Sequence, residues 1–106
     1  MDKKYLIKFI ENQWSNTGVG VRSKEYVSGT KRIRLVEFTY GFIEPDWCIK
    51  GHIGYVLEGV CSIDFNGTII RLSEGDGLWI EEGEENRHKL IVGSDERVLF
   101  VLFESL

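Results

Sequence analysis

From about residue 18 onward, apolar and polar positions fall into short β-rich runs separated by turn residues, and no segment sustains a 3.6-residue apolar repeat. That pattern predicts an all-β protein. Val19 to Tyr26 and Arg32 to Phe42 read as strands, the second placing Val36, Phe38, Tyr40 and Phe42 on one face and Glu37 and Thr39 on the other. Asn66-Gly67 accepts the positive φ angles of a type I′ turn and predicts a two-residue hairpin between Val60 to Phe65 and Thr68 to Ser73. With Phe65 opposite Thr68, one face holds Cys61, Ile63, Phe65, Thr68, Ile70 and Leu72, and its apolar character makes it core. Gly75-Asp76-Gly77 turns the chain into Leu78-Trp79-Ile80, and the acidic loop Glu81 to Glu85 separates this strand from Arg87 to Val92. The last run, Val98 to Phe103, is apolar without alternation, so both of its faces should be covered, one by the barrel and one by a subunit partner. Tyr5 to Trp14 fits either a helical face or a short edge strand.

Composition narrows the class. The 106 residues suit one domain, with residues 1–17 as an N-terminal extension and 18–106 as the barrel; 42% hydrophobic and 28% charged residues are ordinary for a globular fold. Seventeen acidic against thirteen basic residues give a net charge of −4 and no basic stripe, so nucleic acid is not an expected partner. Lys8 interrupts the apolar Tyr5-Leu6-Ile7, leaving no secretory h-region, and no run is long enough to span a bilayer. A cytoplasmic setting is therefore expected, with Cys48 and Cys61 as free thiols. Regular short strands with tight turns suit a sandwich or a closed barrel.

The stretch His52-Ile53-Gly54-Tyr55-Val56-Leu57-Glu58-Gly59, followed by Gly75-Asp76 and Gly83, resembles the two motifs of the cupin superfamily over roughly residues 41 to 92. The resemblance implies a cupin-like double-stranded β-helix, or jelly-roll barrel. Aligned on Gly59, His52 stands at the family's glutamate position, and Asp46 and Cys48 stand at its two histidine positions. In the second motif Gly75 and Gly83 match, Glu81 replaces the proline, and Asn86 replaces the histidine, with His88 two residues further on. The framework glycines are kept while all four usual metal-ligand positions hold other residues.

In such a barrel the chain reverses near Lys50-Gly51 and brings Cys48 beside His52; four extended residues would otherwise hold them roughly 13 Å apart. Cys48, His52 and His88 would then form a site for a divalent metal (zinc, iron, copper, manganese or nickel), with Asp46 or Asn86 as a fourth ligand. The competing reading makes Cys48 a small buried hydrophobe and His52 a hydrogen-bonded core residue in a metal-free cavity. Tyr40, Phe42, Trp47 and Trp79 would line the mouth and stack on a planar or apolar ligand, and Glu81, Glu82, Glu84 and Glu85 would favour cationic ligands. The hairpin register makes Cys61 core. Three functions follow: a small-molecule sensor or binding protein, a metal-dependent cupin enzyme of isomerase or dioxygenase type, or a structural module acting as a homodimer.

Overall fold

The computed structural model describes residues 5–106; Met1 to Lys4, the start of the expected N-terminal extension, lie outside them. Eight antiparallel strands follow in order: β1 (Ser15–Gly18), β2 (Val21–Ser28), β3 (Lys31–Thr39), β4 (His52–Phe65), β5 (Thr68–Ser73), β6 (Gly77–Ile80), β7 (Lys89–Ile91) and β8 (Arg97–Ser105). Single 3-10 turns at Phe9–Glu11 and Glu84–Asn86 are the helical elements among the described residues, and no helix there is long and apolar enough to cross a membrane. The all-β expectation holds.

The sheet runs β1-β2-β3-β8-β4-β5, with β6 and β7 also paired to β4. Strand β4 closes the curl because it serves two sets of neighbours. Its first half lies between β8 and β6, and its second half between β5 and β7. The change of partners falls at a β-bulge between Val56 and Glu58, next to Gly59 at φ 83°. A Cβ on Gly59 would sit 1.9 Å from the Arg97 carbonyl oxygen, so only glycine permits this approach of β4 to β8.

Asn66 (φ 52°) and Gly67 (φ 108°) form the expected hairpin turn, and the predicted register is observed from Phe65↔Thr68 through Cys61↔Leu72. Cys61, Ile63 and Leu72 are buried with Val36, Val56, Ile80, Leu90, Val92, Val98, Phe100 and Leu102, while Ile70, expected in the core, is 47% exposed. The apolar face outruns the barrel at that end. Alternation in β3 likewise stops short of Tyr40: the strand ends at Thr39, Gly41 turns at φ 77°, and Phe42 folds back onto Phe38 at a ring separation of 5.0 Å. Strand β8 alternates in burial despite its uniform sequence. Val98, Phe100 and Leu102 are buried, whereas Phe103 on the outer face is 49% exposed.

The helical reading of Tyr5 to Trp14 is not realised beyond the one 3-10 turn, and Ile10 is almost fully exposed. The segment instead lies across β2, with the Lys24 ammonium donating to the Phe9 carbonyl at 2.9 Å and the Arg22 guanidinium stacked 4.4 Å from the Trp14 ring. Beside it Glu37, expected on the polar face, is buried by charge pairing: Arg22 Nε donates to one carboxylate oxygen at 2.7 Å and Arg97 Nη2 to the other at 2.6 Å. Burial alone would raise the Glu37 carboxyl, but the hydrogen bonds from Arg97 and Arg22 outweigh it and hold it below 4.5.

Two predictions follow from this framework. Gly59→Ala should cost about 2 kcal/mol or more, read as a lowered urea midpoint, because the new side chain meets a carbonyl at a positive φ; an unshifted midpoint would show that the bulge relaxes freely. For Glu37→Gln the loss should be about 1–3 kcal/mol at neutral pH. Since the folded carboxyl titrates below its unfolded value of 4.5, this contribution is fully present above that pH and fades as pH falls through the folded value. The stability gap between parent and variant should therefore shrink on acidification, and a gap independent of pH would count against the ion-pair account.

Candidate functional site

Two short pieces of backbone bring the chemistry together. Cys48 and His88 pair as an isolated antiparallel bridge, with Cys48 N–H donating to His88 O at 2.9 Å and His88 N–H to Cys48 O at 3.0 Å. The chain then reverses through Lys50-Gly51, where a Cβ on Gly51 would lie 2.9 Å from the Ile80 carbonyl oxygen, and enters β4 at His52. His52 shares the inward parity of Gly54 and the buried Val56. As a result Cys48 Sγ lies 3.6 Å from His52 Nε2, and one donor atom from each of Cys48, His52 and His88 lies within 4.8 Å of the others.

Each imidazole is held by its other nitrogen. His52 Nδ1 lies 2.7 Å from Glu104 Oε2, and His88 Nδ1 lies 3.0 Å from the Asn86 carbonyl oxygen. Both partners only accept, so each Nδ1 is the donor of its pair, and in a neutral ring the lone pair is then on Nε2. His88 is buried against the Phe65 ring, and the two imidazoles meet edge to face at 5.3 Å.

Glu104 continues the inward parity of Val98, Phe100 and Leu102 on β8, and Arg32 and Arg34 continue that of Val36 on β3. Arg32 Nη2 donates to Glu104 Oε1 at 2.8 Å and Arg34 Nη2 to Oε2 at 3.0 Å. Burial alone would raise the Glu104 carboxyl, yet the hydrogen bonds from His52, Arg34 and Arg32 hold it at about 2. Sequence reasoning missed these three residues. The signal was present in the alternation: extending the inward rows of β3 and β8 past their apolar members reaches them.

Cys48, His52, His88, Arg32, Arg34 and Glu104 open onto a cavity of about 190 Å³ whose remaining wall includes Phe38, Ile63, Leu78, Leu90 and Phe100. Asp46 is exposed and outside this lining, and Asn86 meets the site through its backbone carbonyl. The four aromatic residues expected at the mouth lie elsewhere. Tyr40 is 63% exposed, Phe42 packs on Phe38, Trp47 is stacked against Arg87 and Lys89, and Trp79 projects from the outer face. None of Glu81, Glu82, Glu84 and Glu85 lines the cavity; Glu81 and Glu82 border a wider, shallow groove on the outer face. That groove shares Arg32, Lys50, His52, Ile80 and Glu104 with the cavity, but Cys48 and His88 line only the smaller cavity, which marks it as the place where the donors converge. Cys61 is remote from this chemistry, its thiol pushed up to about 12 by burial.

Comparison with known proteins agrees with this architecture. Solved structures similar to the chain include KdgF from Halomonas sp. (TM-score 0.72, 22% identity, covering 91% of this chain and 87% of that one). The polyketide cyclase RemF from Streptomyces resistomycificus aligns at TM-score 0.79 and 13% identity, over 94% of this chain and 78% of that one. An RmlC-like cupin from Shewanella frigidimarina aligns at TM-score 0.77 and 14% identity, over 95% and 89%. At these identities the likeness establishes the fold, a cupin-like jelly-roll barrel. No curated protein sequence matches the chain. Residues 37–102, from near the end of β3 to near the end of β8, match the family of AraC-like ligand binding domains. With most of its length inside that match and its strands in the cupin arrangement, the chain belongs to the AraC-like ligand-binding domain family, as a small member of the cupin superfamily.

Proposed function

We propose that the protein binds a small molecule in the barrel cavity at a divalent metal held by Cys48, His52 and His88, and that it works as a binding or sensor domain. The observation that carries this reading is the paired restraint of the two histidines, with one ring nitrogen of each and the Cys48 sulfur lying within 4.8 Å of one another. The donor set fits a metal. A tetrahedral zinc with Zn–S of about 2.3 Å and Zn–N of about 2.0 Å separates sulfur from nitrogen by about 3.5 Å, and Cys48 Sγ lies 3.6 Å from His52 Nε2. A buried core histidine needs no second imidazole and thiol beside it, whereas metal-binding histidines characteristically donate their other N–H to a carboxylate or carbonyl. A thiolate with two imidazoles suits zinc, copper, iron or nickel better than manganese. When bound, such an ion supplies an open coordination position that polarises a ligand oxygen. The protein's own residues do the rest: Glu104 fixes the His52 ring, Asn86 fixes His88, and the apolar wall limits water. Cys48 must stay reduced to serve, which is why a cytoplasmic setting belongs to this reading.

A second observation supports a homodimer as part of the same reading. On the outer face Tyr26, Ile33, Phe103, Ile53 and Trp79 stand in one row across β2, β3, β8, β4 and β6. Tyr26, Ile53, Phe103 and Trp79 are between 40% and 70% exposed. Lys31 borders this groove on the β3 side, and Glu81 and Glu82 border it on the β6 side. A twofold axis along β8 would lay each apolar row on its copy and bring the lysine of one protomer toward the acids of the other, so a second copy of this chain is the occupant whose charge fits.

Elemental mass spectrometry of purified protein should find near-stoichiometric metal that Cys48→Ser and His52→Ala both lose and Cys61→Ser keeps; no uptake after reconstitution with zinc, iron, copper, manganese and nickel would falsify the metal site. Light scattering at micromolar concentration should give twice the chain mass, and Phe103→Lys should return the monomer. A parent protein that is already monomeric rules out the dimer.

A further inference from the structure

We infer that the ligand of this cavity is a small carboxylic acid whose carboxylate is read by Arg34 and whose neighbouring hydroxyl or oxo oxygen turns toward Cys48, His52 and His88. The second half rests on the metal reading above; the first half rests on the cavity's own polar groups.

Three cationic side chains, Arg32, Arg34 and Lys50, line the cavity against two carboxylates, Glu44 and Glu104. Both carboxylates are already engaged. Glu44 Oε1 accepts the Leu90 N–H at 3.0 Å, and Glu104 accepts from His52 and both arginines. A cationic ligand therefore meets an excess of like charge, and an anionic one meets its complement. This reverses the preference expected from the acidic loop, which lies outside the cavity.

Arg34 carries the specific signal. Its Nε lies 2.7 Å from Glu104 Oε1 and its Nη2 donates to Oε2 at 3.0 Å, so Glu104 occupies one edge of the guanidinium. Among the described residues Nη2 is the one Arg34 nitrogen with a directed hydrogen bond, and the side chain lines the cavity. A ligand carboxylate would take the remaining Nη1 donor of a group whose charge is permanent. Arg34 also shares Glu104 Oε2 with His52 Nδ1, so the anion-reading group and the nearest metal donor are separated by a single carboxylate. A ligand spanning the two needs its second oxygen close to its acid group, as in 2-hydroxy and 2-oxo acids. The cavity, about 190 Å³, is small, which favours a short-chain ligand. Phe38, Leu78 and Phe100 give that chain an apolar wall.

Isothermal titration of the full chain, with and without zinc, tests this with matched neutral and charged probes: lactate against lactamide, 2-hydroxybutyrate against 2-hydroxybutyramide, and inorganic phosphate as a second anion. The acids should bind at least about tenfold more tightly than their amides. Arg34→Gln should abolish that preference. If Arg34→Gln does not fold by circular dichroism, Arg34→Lys serves in its place and should lose most of the preference, because an ammonium keeps the charge but not the fork. Equal binding of acid and amide, no binding of any acid at millimolar concentration, or phosphate binding as tightly as the acids each overturns the assignment. Zinc uptake that depends on Cys48 and His52 without an acid preference leaves the metal reading standing and removes this one. An acid preference that persists in a protein unable to hold zinc does the reverse for the Arg34 subsite.

Discussion

A single buried carboxylate organises one end of this barrel. Glu104 on β8 accepts from Arg32 and Arg34 on β3 and from His52 at the start of β4, so three adjacent strands converge on one charge. Taking a carboxylate out of water costs several kcal/mol, and only a near-complete set of donors offsets it. The donors here are themselves fixed by strand register: Arg32 stands directly opposite Glu104, and Arg34 stands opposite Leu102 one pleat along. Hydrophobic side chains at these positions would close the barrel end at lower cost. The polar cluster instead leaves the interior open beside a sulfur and two imidazoles.

The geometry of the site follows from how β4 is built. One strand serves two sets of neighbours because Gly59 allows it to bulge against β8, and the same strand delivers His52 at its first residue. The bend therefore fixes where the barrel closes, and the closure fixes where the imidazole points. Gly75 and Gly83, the other two framework glycines, also adopt positive φ angles, 94° and 141°, at the turns that lead into β6 and toward His88. Sequence elements that read as folding signals are thus the means by which distant ligands reach one point.

This explains which parts of the protein were legible in the sequence. Strand positions, the Asn66-Gly67 register and the convergence of Cys48 and His52 depend on local turn chemistry and on motif spacing, both written in consecutive residues. The polar lining was harder because Arg32, Arg34 and Glu104 lie at strand ends, where charged residues are usually solvent-facing and alternation loses its apolar markers. The aromatic residues misled for the opposite reason. Trp47 and Trp79 are bulky and apolar, yet one is engaged by two cations and the other by an outer face whose extent depends on cross-strand neighbours. Burial of Glu37 depended on two arginines from β2 and β8 that only the folded sheet places together.

The Cys48–His88 bridge has a consequence for how the barrel breathes. Two hydrogen bonds hold these residues together, outside the regular strands, whereas His52 belongs to the 14-residue β4. The wall is therefore least cooperative where two of the three donors sit, and local opening there exposes the interior without disturbing the ladder of β3, β8 and β4. Whatever occupies the cavity acts as a rivet across this seam. Slowed amide hydrogen exchange at Cys48 and His88 would then record occupancy directly, through the rigidity of the seam more than through its shape.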